Sequence, residues 1–163
     1  GVRVYRESVE AGPDLVARSE ELLDRFDWSG VAMVEYKREA ETGVPYVMEV
    51  NARLWGSLQL AVDAGVDFPR LLVEAALGAP ARTPPDYRPG VRCRWWWGDV
   101  DHLIARLKGQ SPGDTDSESP RRLDAIVRFL VPWRPGDRFE VLRPGDPRPF
   151  LRESAAWIAE ILR

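Results

Sequence analysis

The sequence predicts an α+β fold: an antiparallel sheet with packed helices, followed by a helical tail. Three observations predict it. Residues 31–39 and 45–51 are β-prone and flank the turn Glu41-Thr42-Gly43, which reads as a hairpin. Residues 13–26 carry a helical apolar stripe of Leu15, Leu22 and Phe26, with Val16 and Leu23 alongside. The order strand, helix, hairpin then calls for a layered unit in which this helix covers the apolar face of the hairpin.

The hairpin is the stretch around which the chain is organised. A three-residue loop at 41–43 places Gly43 where the backbone turns left-handed and a Cβ would clash. With that loop, Val34 faces Val50, Tyr36 faces Met48 and Arg38 faces Tyr46. The alternate pairs are Met33 with Asn51, Glu35 with Glu49 and Lys37 with Val47. Side chains alternate between the faces of a strand, so one face is apolar and the other gathers Glu35, Glu49, Asn51 and, by continuation, Arg53. Two carboxylates directly opposite each other have Cβ atoms about 4.5–5.5 Å apart and repel. A divalent cation removes that cost. Hard cations such as Mg2+ take oxygen ligands, usually one or two carboxylates plus water and phosphate oxygens, and Glu35, Glu49 and the amide oxygen of Asn51 are such a set. The Arg53 guanidinium suits bidentate binding of a phosphate. The competing reading is a solvated polar strand face, where a pair of glutamates is common.

These residues carry a resemblance. The ordered string WSGVAMVEYK, then TG, then MEVNARLWGSLQLAVDAGVDFP resembles the carboxy-terminal lobe of an ATP-grasp domain, in particular the carbamoyl-phosphate-synthetase-like ATP-dependent carboxylate ligases. The resemblance covers roughly residues 2–79 and fades beyond. It implies ATP and Mg2+ as cofactors, with Mn2+ able to substitute. By position, Glu35 resembles the first metal ligand, Glu49 the ligand bridging two ions, and Asn51 the ligand of the second ion. Arg53 resembles the catalytic arginine near the transferred phosphoryl group, and all four residues would bind the metal–nucleotide cofactor. Ala52 departs from the proline usual between the Asn and the Arg. The implied reaction activates a small-molecule carboxylate as an acyl phosphate for attack by an amine or other nucleophile. The acceptor substrate lies near the turn after Arg53 in such enzymes, which makes Gly56 and Ser57 substrate-contact candidates, a plain helix cap being the alternative for Ser57. The adenine-contacting lysine and the glycine-rich loop would lie upstream, so the expected partner is a missing amino-terminal ATP-grasp half, without which the fragment is inactive. The rival expectation is a non-catalytic remnant module that binds a nucleotide or a partner protein.

Composition bounds these readings. The 163 residues are 44% hydrophobic and 30% charged, as in a globular chain long enough for one real core. The net charge of −3 argues against a dedicated nucleic-acid surface. Cys93 is the single cysteine, which permits no internal disulfide and suits a reducing compartment. No apolar run of about 18 residues suggests a membrane span, and the start is not signal-like. The expectation is a cytoplasmic protein.

In chain order, residues 1–10 read as a strand whose Arg3 and Arg6 are solvated. Trp28 reads as a core plug. A helix over 57–64 is stopped by Gly65, and one over 69–77 buries Leu71, Leu72 and 75–77 before Gly78. Residues 91–97 read as a strand whose Trp95 and Trp97 point opposite to Trp96, and Asp99 caps a helix to 108 with His102 on its surface. The domain division expected is an ATP-grasp lobe over 1–108, a mobile acidic loop over 109–120 and a helical tail over 121–163 that packs on the lobe. Within the tail a helix runs to 130, a strand covers 139–142, and a last helix over 150–162 buries Leu151, Ala155, Ile158 and Leu162. The tail could also meet the missing half or form a homodimer contact.

Overall fold

The computed structural model describes residues 5–79, 86–108, 126, 129 and 136–162. The acidic loop over 109–120 lies outside the described residues, as does the helix leading to 130 apart from Ile126 and Phe129. Two compact units divide the chain: residues 8–90, and residues 1–7 together with 91–163. The division cuts across the 1–108 lobe read from the sequence.

In the 8–90 unit, α1 (Pro13–Arg25) starts with a proline whose fixed φ suits a first turn and with Asp14 favoured by the helix dipole. Its inward side is Leu15, Ser19, Leu22 and Leu23, all half-buried, while Val16 and Phe26 are exposed. Phe26 leaves the expected stripe because the helix ends there. Asp27 takes a left-handed φ of 47°, and the Trp28 N–H turns back to the Leu23 carbonyl at 3.0 Å. That turn carries Trp28 outward, 41% exposed, so it is no core plug. The hairpin strands are β2 (Met33–Arg38) and β3 (Pro45–Asn51). Ser19 donates to the Leu15 carbonyl, which leaves the Tyr36 hydroxyl to donate to Ser19 at 3.0 Å. This bond sets α1 on the Val34–Tyr36 side of the hairpin, as expected.

Helix α2 (Leu58–Ala64) ends at Gly65, whose φ of 117° lets the Val66 N–H reach back to the Ala61 carbonyl. Helix α3 (Phe68–Ala76) is capped by Asp67, which accepts from the Arg70 N–H at 3.1 Å. Leu71 and Leu72 are half-buried, but Ala75, Ala76 and Leu77 are exposed, because α3 ends at Ala76 and Leu77 caps it facing solvent. Ala64 and Val66 are buried in this unit. Its two ends meet: the Gly90 N–H donates to the Ser8 carbonyl at 2.7 Å, and the Ser8 hydroxyl donates to the Arg88 carbonyl at 2.7 Å.

In the other unit β4 (Arg92–Arg94) is the middle strand, antiparallel to β1 (Tyr5–Glu7) and parallel to β5 (Asp137–Phe139). The sheet is therefore mixed rather than antiparallel, and β5 lies ahead of the expected 139–142. Cys93 at its centre is fully buried. Arg6 is not solvated: it pairs with Glu140, and Arg92 pairs with Asp137 at 2.7 Å. The strand stops at Arg94 instead of running through 97, and α4 (Trp96–Leu107) begins two residues later. Asp99 is held by Arg94, itself 4% exposed, rather than serving as a cap. His102 is exposed on α4, as expected.

The tryptophans decide how α5 (Arg148–Ile161) sits in this unit. Indole N–H groups seek partners when covered. Trp95 donates to Glu153 at 2.7 Å, Trp97 to Ser154 at 2.9 Å and Trp157 to Asp101 at 2.8 Å. Trp97 also stacks on Trp157 with ring centroids 4.1 Å apart, and Trp96 packs on Phe129 and Phe139. The inward face of α5 is thus Phe150, Glu153, Ser154 and Trp157. Leu151, Ala155, Ile158 and Leu162, expected to be buried, are exposed.

Candidate functional site

The hairpin turn is one residue longer than expected. The Glu39 N–H donates to the Val44 carbonyl at 3.0 Å and the Gly43 N–H to the Glu39 carbonyl at 2.9 Å, closing a loop over 40–43 with Gly43 at φ 69°. Thr42 braces it by donating to Glu39 at 2.5 Å and accepting from the Val44 N–H at 3.2 Å. The longer loop displaces the pairs beside it. Tyr36 faces Val47, Lys37 faces Tyr46 and Arg38 faces Pro45, in place of the expected Tyr36–Met48, Lys37–Val47 and Arg38–Tyr46. Between Tyr36 and Glu35 the register shifts again, leaving Met48 as an extra residue in a β-bulge. Beyond it the ladder is as expected: Glu35 opposite Glu49, Val34 opposite Val50 and Met33 opposite Asn51.

Directly paired residues share a face, so Glu35, Glu49 and Asn51 lie on one side of the hairpin, away from α1. Glu35 and Asn51 are half-buried and Glu49 is exposed. The bulge next to them adds local twist and bends β3, a feature that in sheets often re-aims side chains beside active sites. Among the described residues no group of three or more His, Cys, Asp or Glu could hold a metal ion; the set here is two carboxylates and an amide. Strand alternation ends with Asn51. Arg53 stands beyond it at a bend, exposed, with its guanidinium donating to the Leu54 carbonyl at 3.0 Å.

The structure puts Gly56 in the open and Ser57 half-buried ahead of α2. Ser57 makes no side-chain capping bond, and its φ of −94° and ψ of 16° are not the extended backbone that a capping serine takes. The plain-cap reading therefore fails. Ser57 instead lines a cavity of about 280 Å3 with Trp55, Leu60, Ala61, Val66 and Phe68. Nothing in the local pattern announced this cavity.

The family described as ATP-grasp in the biosynthetic pathway with Ter operon matches residues 2–98, more than half of the chain. The chain belongs to the ATP-grasp family. No curated protein and no solved structure shows a significant match. Membership in the ATP-grasp family points to ATP-dependent, ligase-type chemistry, and the family generally uses ATP and Mg2+. The α+β architecture agrees with a partial ATP-grasp fold. The oxygen-only character of Glu35, Glu49 and Asn51 fits a hard cation. Among the described residues of this ATP-grasp chain, no helix is long and apolar enough to cross a membrane.

Proposed function

We propose that this ATP-grasp chain forms the metal- and phosphate-binding wall of a ligase that activates a small-molecule carboxylate as an acyl phosphate, which an amine or other nucleophile then attacks. The observation that supports this reading is Glu35 directly opposite Glu49 with Asn51 on the same face. A like-charged cross-strand pair costs stability unless something positive occupies the face. Glu35, Glu49 and Asn51 would hold Mg2+ or Mn2+, which when bound neutralises phosphate charge. Arg53, whose present hydrogen bond goes only to the neighbouring Leu54 carbonyl, can trade it for paired phosphate oxygens. There it stabilises the charge on the transferring group. The twisted hairpin holds the two carboxylates while the bend after Asn51 lets Arg53 reach.

The test is Mn2+ titration of the intact protein by electron paramagnetic resonance, with and without a non-hydrolysable ATP analogue. Wild type should bind Mn2+ more tightly with the analogue, and Glu49→Gln should lose at least about tenfold in affinity, the cost of one lost charge-assisted ligand. Equal affinity in both proteins refutes the reading. ADP release that requires both a carboxylate and an amine separates the ligase from a module that only binds nucleotide.

A further inference from the structure

The cavity beside Ser57 has a chemical character that the metal and phosphate residues do not explain. All its walls come from the 8–90 unit, and none of the lining residues is charged. Trp55 and Phe68 meet edge to face with centroids 5.1 Å apart and supply an aromatic part of the lining, beside the aliphatic Leu60, Ala61 and Val66. Three hydroxyls also reach the lining, and two are already committed. Ser8 donates to the Arg88 carbonyl, and the Tyr87 hydroxyl donates to the Val9 carbonyl while accepting from the Ala11 N–H. Ser57, which caps nothing, is the hydroxyl with capacity to spare. It follows Asn51 and Arg53 on one continuous segment.

We infer that this cavity is the side-chain pocket for the substrate, selecting a compact, uncharged, apolar group with a hydrogen-bonding atom at its edge that Ser57 meets. The assignment to a substrate rests on the ligase reading. The chemistry follows from the walls. A volume of about 280 Å3 is smaller than most whole-ligand pockets, which run roughly 300–1,000 Å3, and suits a branched aliphatic or phenyl group rather than an entire cofactor. A charged group there would lose part of its hydration against apolar walls with no lining counter-charge to replace it, so the pocket disfavours acidic and basic side chains. Specificity of this kind comes from differential fit: the hydroxyl orients the group and the aromatic wall supplies the buried area.

The probes are N-acetyl-leucinamide and, as a charged match of similar size, the α-amide of N-acetyl-glutamate. Each is titrated into the intact protein while backbone amide shifts of Ser57, Leu60, Ala61 and Val66 are followed by NMR. The leucinamide should give saturable shifts at these residues, and the glutamate amide should bind at least about tenfold more weakly. Ser57→Ala, which removes no bond of the fold, should weaken leucinamide binding about 2- to 10-fold, the worth of one ordinary hydrogen bond. Ala61→Leu, which fills the cavity, should abolish it. Equal response to both probes, no saturable response, or Ser57→Ala without effect overturns the pocket. Absent leucinamide binding in a protein whose Mn2+ affinity does depend on Glu49 overturns the pocket alone. Leucinamide binding with Mn2+ affinity indifferent to Glu49→Gln overturns the ligase reading and, with it, the assignment of the pocket to a substrate.

Discussion

Glu35 and Glu49 stand opposite each other on β2 and β3, one residue from the bulge at Met48. Like charges directly opposite on a hairpin repel, by about 0.2–1 kcal/mol, and the Glu49 charge is one half of that repulsion. Glu49→Gln should therefore raise the thermal midpoint in EDTA. With Mg2+ at about 100 times its dissociation constant, wild type gains about 2.7 kcal/mol from ligand binding and the order reverses. Melting curves of both proteins in EDTA and in Mg2+ check the crossover; parallel curves in the two buffers would make the pair a plain surface feature.

Met48 is the residue without a cross-strand partner, so removing it tests the bulge itself. Deletion of Met48 should leave Glu35 opposite Glu49 and Tyr36 opposite Val47, with a regular ladder. The fold should persist, because Met48 is 59% exposed. The bend and extra twist should vanish, and with them part of the aim of Glu49 and Asn51. The expected result is unchanged or slightly higher stability with about tenfold weaker Mn2+ binding, a loss typical of disturbed supporting geometry around a metal. Circular dichroism melting and Mn2+ titration on the same sample decide it.

Arg53→Lys keeps the charge and loses the planar fork. Turnover by the intact protein should fall about 100- to 1,000-fold, as when a positioned electrostatic donor is removed. Stability should stay within about 0.5 kcal/mol, because Arg53 is exposed and bonds only to its neighbour's carbonyl. Steady-state kinetics and a melt run side by side would show whether the two effects separate. A matching loss of stability would recast Arg53 as structural.

Burial pushes the Asp99 carboxyl above its ordinary value, against the opposing pull of Arg94 and, more weakly, of His102. The folded state thus holds that proton more tightly than the unfolded chain. Its contribution to stability is full below the unfolded value and is lost as the pH rises through the folded one. Asp99→Asn removes this window. The wild-type midpoint minus that of Asp99→Asn should therefore fall as the pH is raised from about 3 to 7. A difference that grows with pH would mean that the Arg94 ion pair outweighs burial.

The acidic pair was legible because alternation reports faces well. Yet its register came out right through two compensating departures. The loop has one residue more than the Thr42-Gly43 pattern suggests, and Met48 absorbs the difference before Glu49. Local sequence specifies turn chemistry only loosely and says little about where a bulge will sit. The run RCRWWW has the propensity of a long strand, but the pairing of Arg94 with Asp99 and the indole bonds to α5 reward a helix from Trp96. The same bonds turned Leu151, Ala155 and Ile158 of α5 outward. A parallel partner for β4 far along the chain was invisible for the same reason: only tertiary structure identifies it. At Ser57 the residue type suggested a cap, and only the backbone angles show otherwise.

The bond from Gly90 to Ser8 has a consequence for the order of folding. Residues 8–90 form a unit whose ends meet, inserted between β1 and the strand it pairs with, β4. The inserted unit draws only on contiguous sequence and can condense as soon as it leaves the ribosome. Strand β1, made ahead of the inserted unit, must wait for β4, a delay on the order of ten seconds at about 5–20 residues per second. Throughout that interval Tyr5, Arg6 and Glu7 present unpaired backbone to the surroundings. Residues 5–7 thus precede the inserted unit in the chain yet settle after it.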